Sequence, residues 1–571
     1  MSNFAKESNI RMELAQLIAR IGFSVEEILS ILEPPPSIDM GDIALPCFGL
    51  GKTRSKTPTA LAKEIADFVT NLSEAKALVD RVEAVGGYVN LYFNKEKFSE
   101  QVLADVFRSD NRYGSNESGK GKKVIIEMSS PNIAKSFGIG HLRSTIIGEA
   151  LSRIYRANGF QVIKINYLGD WGTQFGKLIY GFKEWGNDTE LAKKPIDYLQ
   201  DLYIKTNLEI NEEIEATSRG YLKLMEEGDE EVLKLWHRVK KYSLVEFNRI
   251  YDLLGVSFDI TTGESEYKES GKEIAHELLK NRIAKESEGA IVVDLEDSGN
   301  SVGMLIKSDG TSTYLSRDIA AAIKRNNEYE FDEMIYEVGS EQELHFQQMF
   351  TILKKMGYEW ASHLKHVSHG LYLGKDGGKL STRQGTSIKM MDIWDHVYSK
   401  IINELKTRGS VLDKNDLERA KKISRAAIIY ADLNSHRESN IKYDLDSIVA
   451  TDGNTGPYLL YSYARSRSIL SVLNYTRPQK PVVAKPEHEE YQIISRLSEF
   501  SRAVLKARVE DDPSIIAKYS MNLARELSSF YERCRVKGSS REKYRSYIID
   551  AYSCVLRISL NLIGIDVVER M

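Results

Sequence analysis

Two glycine-bearing segments hold the residue types that handle phosphate. SPNIAKSFGIGHLRST (residues 130–145) sets Lys135, Gly138, Gly140 and His141 close together. GGKLSTRQG (residues 377–385) carries Lys379, Leu380, Ser381 and Arg383 among glycines. Glycines let backbone N–H groups approach an anion, and a lysine or histidine N–H adds donors where oxygens gather charge. Two such segments, far apart in sequence, suggest a nucleoside triphosphate held from both sides.

The first segment follows an apolar run, Val124–Met128, and leads into an amphipathic helix. Leu142, Ile146, Ala150 and Ile154 recur every fourth position, and Gly159 stands where that helix should stop. Strand, glycine loop and helix N-terminus in that order present N–H groups to phosphate at the edge of an α/β sheet. VIKINYLGDWG, EMIYEVG and HVSHGLYL read as further buried parallel strands. AIVVDLED and SVGMLIKSDG add strands, while residues 189–280 are charged and helical in pattern. Residues 1–118 open with a helical pattern, turn at Pro34–Pro36, form another helix near Thr59–Leu72 and close with one strand over Val82–Asn94. Small polar residues over Gly114–Lys123 mark a linker, and from Asp392 onward the chain is almost entirely helical in pattern.

At 571 residues, with 42% hydrophobic and 28% charged, the composition is that of a multidomain globular protein. No run approaches the ~18 apolar residues of a membrane span, and the first residues carry no apolar signal core. Cys47, Cys534 and Cys554 are too dispersed for a disulfide framework or a zinc site, so a reducing cytoplasm is the expected compartment. A net charge of −4 excludes indiscriminate coating of nucleic acid and leaves RNA reading by local basic faces open.

The first segment resembles the "HIGH" element of class I aminoacyl-tRNA synthetases, with Gly140 and His141 in its last two places. The second resembles their "KMSKS" loop, written here Lys379-Leu380-Ser381-Thr382-Arg383. SPNxAK ahead of GHLRST, YLGDWGTQFG (residues 167–176) and the closing residues 568–571 narrow the resemblance to the arginyl-tRNA synthetases, over essentially the whole chain. That resemblance implies an α/β plus all-α molecule. A Rossmann-type catalytic domain (residues 119–391) would carry a helical insertion at about 189–280. An N-terminal α+β tRNA-binding domain (1–118) and a C-terminal helical anticodon-binding bundle (392–571) would flank it.

It also implies arginine–tRNA ligation from L-arginine, tRNA-Arg and ATP with Mg²⁺, by a monomer without a tightly bound metal. His141, Lys379, Leu380, Ser381, Gly138 and Gly140 would then bind ATP, with Lys135, His141, Lys379 and Ser381 acting in catalysis. Two positions depart from the general pattern: Gly138 replaces the first histidine of "HIGH", and Thr382 replaces the second lysine of "KMSKS". Lys135 stands where the family carries a compensating lysine. Gly138 has no such compensation, which keeps a catalytically weakened tRNA-binding paralogue as the alternative. A cysteinyl-type synthetase would need a zinc site that three scattered cysteines cannot build.

A guanidinium presents five N–H donors in a planar fork, best met by carboxylates and carbonyls. Tyr314 and Asp318 are four residues apart, on one helical face. The resemblance makes them part of an arginine pocket, with Asn132 on the amino-acid backbone, Gln342 and Glu264 as further contacts, and Gln174 nearby. The plainer reading of Asp318 is an ion pair with Arg317 or Arg325. Tyr88 and Asn90, two apart on a strand, match positions that meet the tRNA D-loop; Tyr458, Arg465 and Met571 match the anticodon-binding region, where Tyr461, Tyr463 and Arg467 interleave aromatic and basic groups.

Overall fold

Five parallel strands form the central sheet of the computed structural model, which describes residues 9–571 except 34, 38, 39, 54, 297, 298, 300, 375–387, 408–411 and 443–447. In space the strands run Leu364–His369, Glu333–Gly339, Lys123–Glu127, Gln161–Leu168, Ile260–Gly263. Numbered along the chain this is 5-4-1-2-3, the Rossmann order, in which ligands sit at the carboxyl edge where the order reverses. The reversal lies between Lys123–Glu127 and Glu333–Gly339, paired in parallel from Glu333↔Val124 to Tyr336↔Glu127.

The apolar run at Val124 is continuous because both faces of its strand are covered. Val124 and Ile126 join one core with Leu142, Ile146 and Ile154 of the helix Ile139–Ala157, while Ile125 joins another with Ile319 and Ile352. Gly159, at φ +88°, follows the end of that helix, as its sequence position predicted.

Residues 189–280 are not helical throughout. Helices from Asp188–Lys193 to Glu230–Leu254 make the insertion. The short strand Ile260–Gly263 then returns to the sheet and the helix Lys268–Lys280 packs beside it. A four-residue strand is too brief to show a period against charged surroundings. Ala290–Val293 and Gly303–Ile306 are strands as expected, in a separate antiparallel sheet with Lys285–Ser287.

In the N-terminal region the expected single strand is a hairpin, Val79–Val85 with Tyr88–Phe93, turning at Gly86–Gly87. A two-residue hairpin turn needs left-handed backbone, which Gly86 supplies at φ +57°. The expected linker is a fixed joint. Asn116 Nδ2 donates to Asn158 Oδ1 at 2.7 Å, and Gly119 lies so close to the Phe160 ring that no side chain would fit.

The C-terminal region is helical, including Lys414–Leu433, Gly456–Val472, Ser514–Arg533 and Glu542–Leu562. The N-terminal domain reaches it directly: Tyr491 OH donates to Asp42 Oδ1 at 2.6 Å, and Tyr113 OH to the Leu497 carbonyl at 3.0 Å.

Candidate active site

The loop between the first strand and its helix holds three non-glycine residues in the left-handed region: Ser129 (φ +72°), Ser130 (+46°) and Ala134 (+63°). Each costs roughly 1–3 kcal/mol, and such strain persists only where surroundings impose it. Ser129 N–H donates to Ser144 Oγ at 3.0 Å, Ser129 Oγ lies 2.9 Å from Tyr251 OH, and Ala134 N–H donates to Ser243 Oγ at 2.9 Å. Tyr251 and Ser243 belong to the insertion helix Glu230–Leu254, so the insertion braces the loop.

Gly138 N–H donates to His141 Nδ1 at 3.3 Å, which leaves the histidine proton on Nε2. Burial, with Lys135 nearby adding repulsion, lowers the His141 pKa to about 4. His141 is therefore a neutral N–H donor at physiological pH. Gly140 is exposed, with open space where a side chain would stand. Lys135 lies on the same loop, its Nζ 5.7 Å from the centre of the Tyr203 ring.

Asn132 reaches the next strand, where its Oδ1 packs on Gly169 and accepts from Gln174 Nε2 at 3.4 Å. Beyond it the carboxyl edge carries Glu264, directly after Ile260–Gly263, and the turn Ser340–Gln342, directly after Glu333–Gly339. Gln342 is exposed there.

The helix Tyr314–Tyr329 carries Asp318, Arg317 and Arg325, but the ion pair of the plainer reading does not form. Arg317 Nη2 donates to Glu264 Oε2 at 2.8 Å, and Arg325 bonds Glu127. Asp318 Oδ2 lies instead 2.7 Å from Nε2 of His345, and Tyr314, half exposed, packs edge-on to that imidazole with ring centres 4.9 Å apart. Asp318 Oδ1 is buried and has no hydrogen-bond partner among the described residues; the same holds for Tyr167 OH, Tyr336 OH and His345 Nδ1.

Three carboxyl groups (Glu127, Glu264, Asp318) thus meet two guanidinium groups (Arg317, Arg325). Burial outweighs the arginines at two of these carboxyls. Burial raises Glu264 to about 7 against the pull of Arg317, with Asp318 pushing the same way as burial. Burial likewise raises Glu127 despite Arg325. A buried site short of one cation and rich in bare acceptors suits a guanidinium.

The family model described as tRNA synthetases class I (R), catalytic domain, matches residues 102–445. The DALR anticodon binding domain matches 459–571, and the arginyl tRNA synthetase N terminal domain matches 8–93. Arginine–tRNA ligase 1 of Bacillus thuringiensis is 38% identical over 567 residues, covering 98% of this chain and 100% of that protein. The chain belongs to the arginyl-tRNA synthetases. Arginine–tRNA ligase of Clostridium perfringens is 39% identical over 576 residues, with 98% and 100% covered. Arginyl-tRNA synthetases of Plasmodium falciparum and Thermus thermophilus share the fold, with TM-scores of 0.78 and 0.77 at 21% and 22% identity; each likeness covers 99% of this chain and 100% of the other.

In this synthetase Lys135, His141, Asn132, Gln174, Glu264, Tyr314, Asp318 and Gln342 all lie on or just beyond the carboxyl edge of the sheet. Lys379, Leu380, Ser381, Thr382 and Arg383 lie outside the described residues. Of the RNA-facing candidates, Tyr88 is 38% exposed and packs against half-exposed Phe48, whereas Asn90 is 7% exposed. Asn90 sits on the central strand of its sheet, opposite Ala44 and Glu83. Tyr458 OH lies 3.0 Å from Ser528 Oγ, Arg465 stacks on Tyr531, Tyr461 is exposed, and Tyr463 and Arg467 both bond Glu569. Met571 is half-buried against the bundle. Sequence reasoning missed His345, Tyr167 and Tyr336. A polar tyrosine inside the apolar strand EMIYEVG, and a histidine three residues after Gln342, were the available signals.

Proposed function

We propose that the chain activates L-arginine with ATP to arginyl-adenylate and pyrophosphate, then transfers arginine to the 3′-terminal ribose of tRNA-Arg. The observation that carries this reading is the buried acceptor cluster around Asp318, short of one cation, beside a phosphate-type loop. The arginine guanidinium fills the cluster through Asp318 and Glu264, with Tyr314 and Gln342 bounding it and Asn132 holding the α-amino-acid end. The arginine carboxylate then faces the ATP α-phosphate. Open space over Gly140 admits the nucleotide, and neutral His141 donates Nε2–H to it.

Such a displacement depends on positioning and on positive charge where oxygens gain charge. Lys135 supplies that charge from one side and Lys379, with Leu380 and Ser381, from the other. Gly138 contributes backbone only, so one side-chain donor is missing from the first loop. Mg²⁺ enters as part of the ATP substrate; among the described residues no cluster of His, Cys, Asp or Glu is arranged to hold a metal. Tyr88, Tyr458, Arg465 and Met571 meet tRNA, with Asn90 buried in the strand beside Tyr88, and the protein works as a cytoplasmic monomer. Aminoacylation of total tRNA with each of the twenty amino acids tests the reading. Charging with arginine alone is the expected result; binding of tRNA without charging would favour the weakened paralogue.

A further inference from the structure

His345 belongs to no phosphate or tRNA motif, yet it makes the hydrogen bond that fixes Asp318. A carboxylate only accepts, so the 2.7 Å contact requires His345 Nε2–H as donor and Asp318 Oδ2 as acceptor. The imidazole is itself held on two sides, by the Tyr314 ring at 4.9 Å and the Phe346 ring at 5.0 Å, and is buried. With Oδ2 engaged, Asp318 Oδ1 remains as the bare acceptor. The two cations on the Asp318 helix are committed elsewhere, Arg317 to Glu264 and Arg325 to Glu127.

We propose that His345 is a positioning and specificity residue for the substrate guanidinium. It orients one oxygen of Asp318 toward the pocket while satisfying the other without bringing the permanent charge of a lysine or arginine. The missing cation is then left for the substrate to supply. This rests on the reading of Asp318 as the guanidinium partner.

The test is steady-state aminoacylation with saturating tRNA-Arg, measuring arginine KM, ATP KM and kcat. The variants are Asp318→Asn, His345→Leu, His345→Gln and His345→Arg, with the melting temperature of each. His345→Leu removes the donor and should raise arginine KM at least about tenfold, the worth of one hydrogen bond to a charged group. Its ATP KM and its kcat at saturating arginine should stay within about twofold of wild type. His345→Gln keeps an N–H donor and should recover arginine KM to within about threefold. His345→Arg places an internal cation on Asp318 and should raise arginine KM as far as Asp318→Asn does.

A wild-type arginine KM in His345→Leu, alongside a raised KM in Asp318→Asn, would overturn the role of His345 and keep the pocket. A wild-type arginine KM in Asp318→Asn would overturn the pocket itself. Parallel losses in arginine KM, ATP KM and melting temperature for His345→Leu, unrelieved by His345→Gln, would reduce His345 to a packing residue and overturn the proposal.

Discussion

Two buried clusters of acceptors, around Arg143 and around Asp318, differ in where their guanidinium comes from. Arg143, on the helix that follows the phosphate-type loop, is 1% exposed. Its Nη1 donates to the carbonyls of Gly370 and Ser439, each at 2.9 Å, and its Nη2 to the carbonyl of Arg437 at 2.9 Å. Asp432 lies 3.6 Å from its Nε. Around Asp318 no arginine or lysine among the described residues bonds the free carboxylate oxygen. With its own guanidinium in place the chemistry makes a joint; where the guanidinium comes from the substrate, as proposed for Asp318, it makes a receptor. The joint ties the helix Ile139–Ala157 to the strand end before Tyr372–Leu373 and to the segment after Lys414–Leu433, so three parts of the molecule share one side chain.

Breaking the joint should have the largest effect. Arg143→Met leaves Asp432 with the Tyr372 hydroxyl but no cation and takes a charged donor from three carbonyls, and removing one partner of a buried pair costs about 3–5 kcal/mol. Denaturant unfolding should show that loss, and unchanged stability would mean that the joint is dispensable. Asp318→Asn should behave in the opposite way. Arginine binding should weaken by about 2–5 kcal/mol, as expected when one partner of a desolvated charged pair is lost. Folding stability should hold or rise, because a buried carboxylate with a bare oxygen has gone. A stability loss like that of Arg143→Met would erase the distinction between the two sites.

Lys135→Ala touches neither guanidinium site and serves as the control. It should lower kcat by roughly 100-fold, the worth of a preorganised donor to developing charge, with arginine KM and unfolding midpoint unchanged. The smallest effect is in pH. Burial raises Glu264 to about 7, so below that value it carries a proton and the proposed pocket is less negative. Bound arginine favours the carboxylate and expels that proton. Arginine KM should therefore fall by up to roughly tenfold between pH 6 and pH 8, a tenfold change in affinity corresponding to one pKa unit. Glu264→Gln should flatten the profile, and a flat wild-type profile would remove Glu264 from the pocket.

The parallel strands were legible because burial on two faces writes an unbroken apolar run, as in Val124–Met128. Ile260–Gly263 was not, since four residues with two threonines carry no such run. For the proposed site, Asn132, Glu264 and Asp318 became candidates only through motif context. Asp318 was recoverable by neither period nor charge, because its partner His345 lies 27 positions on, in another helix. The ion pair that sequence proximity favours, with Arg317 or Arg325, loses to Glu264 and Glu127 at the ends of sheet strands. Strand alternation predicted one facing for Tyr88 and Asn90, but Asn90, opposite Ala44 and Glu83 within the sheet, is buried. Alternation fixes direction, and only tertiary packing decides exposure.

The order of the sheet also sets a timetable for synthesis. The strand Lys123–Glu127 can pair with Gln161–Leu168 soon after both leave the ribosome, but its other edge belongs to Glu333–Gly339. At about 5–20 residues per second, translation takes roughly 10–40 s to deliver that neighbour. During the wait a central strand, apolar on both faces, is an open edge on a nascent chain. The contact of Asp42 with Tyr491 closes later still, when the bundle emerges. For this chain the exposed intermediate is an obligatory stage of biogenesis, and slowing translation between the two halves of the sheet should raise its demand for chaperones and its tendency to aggregate.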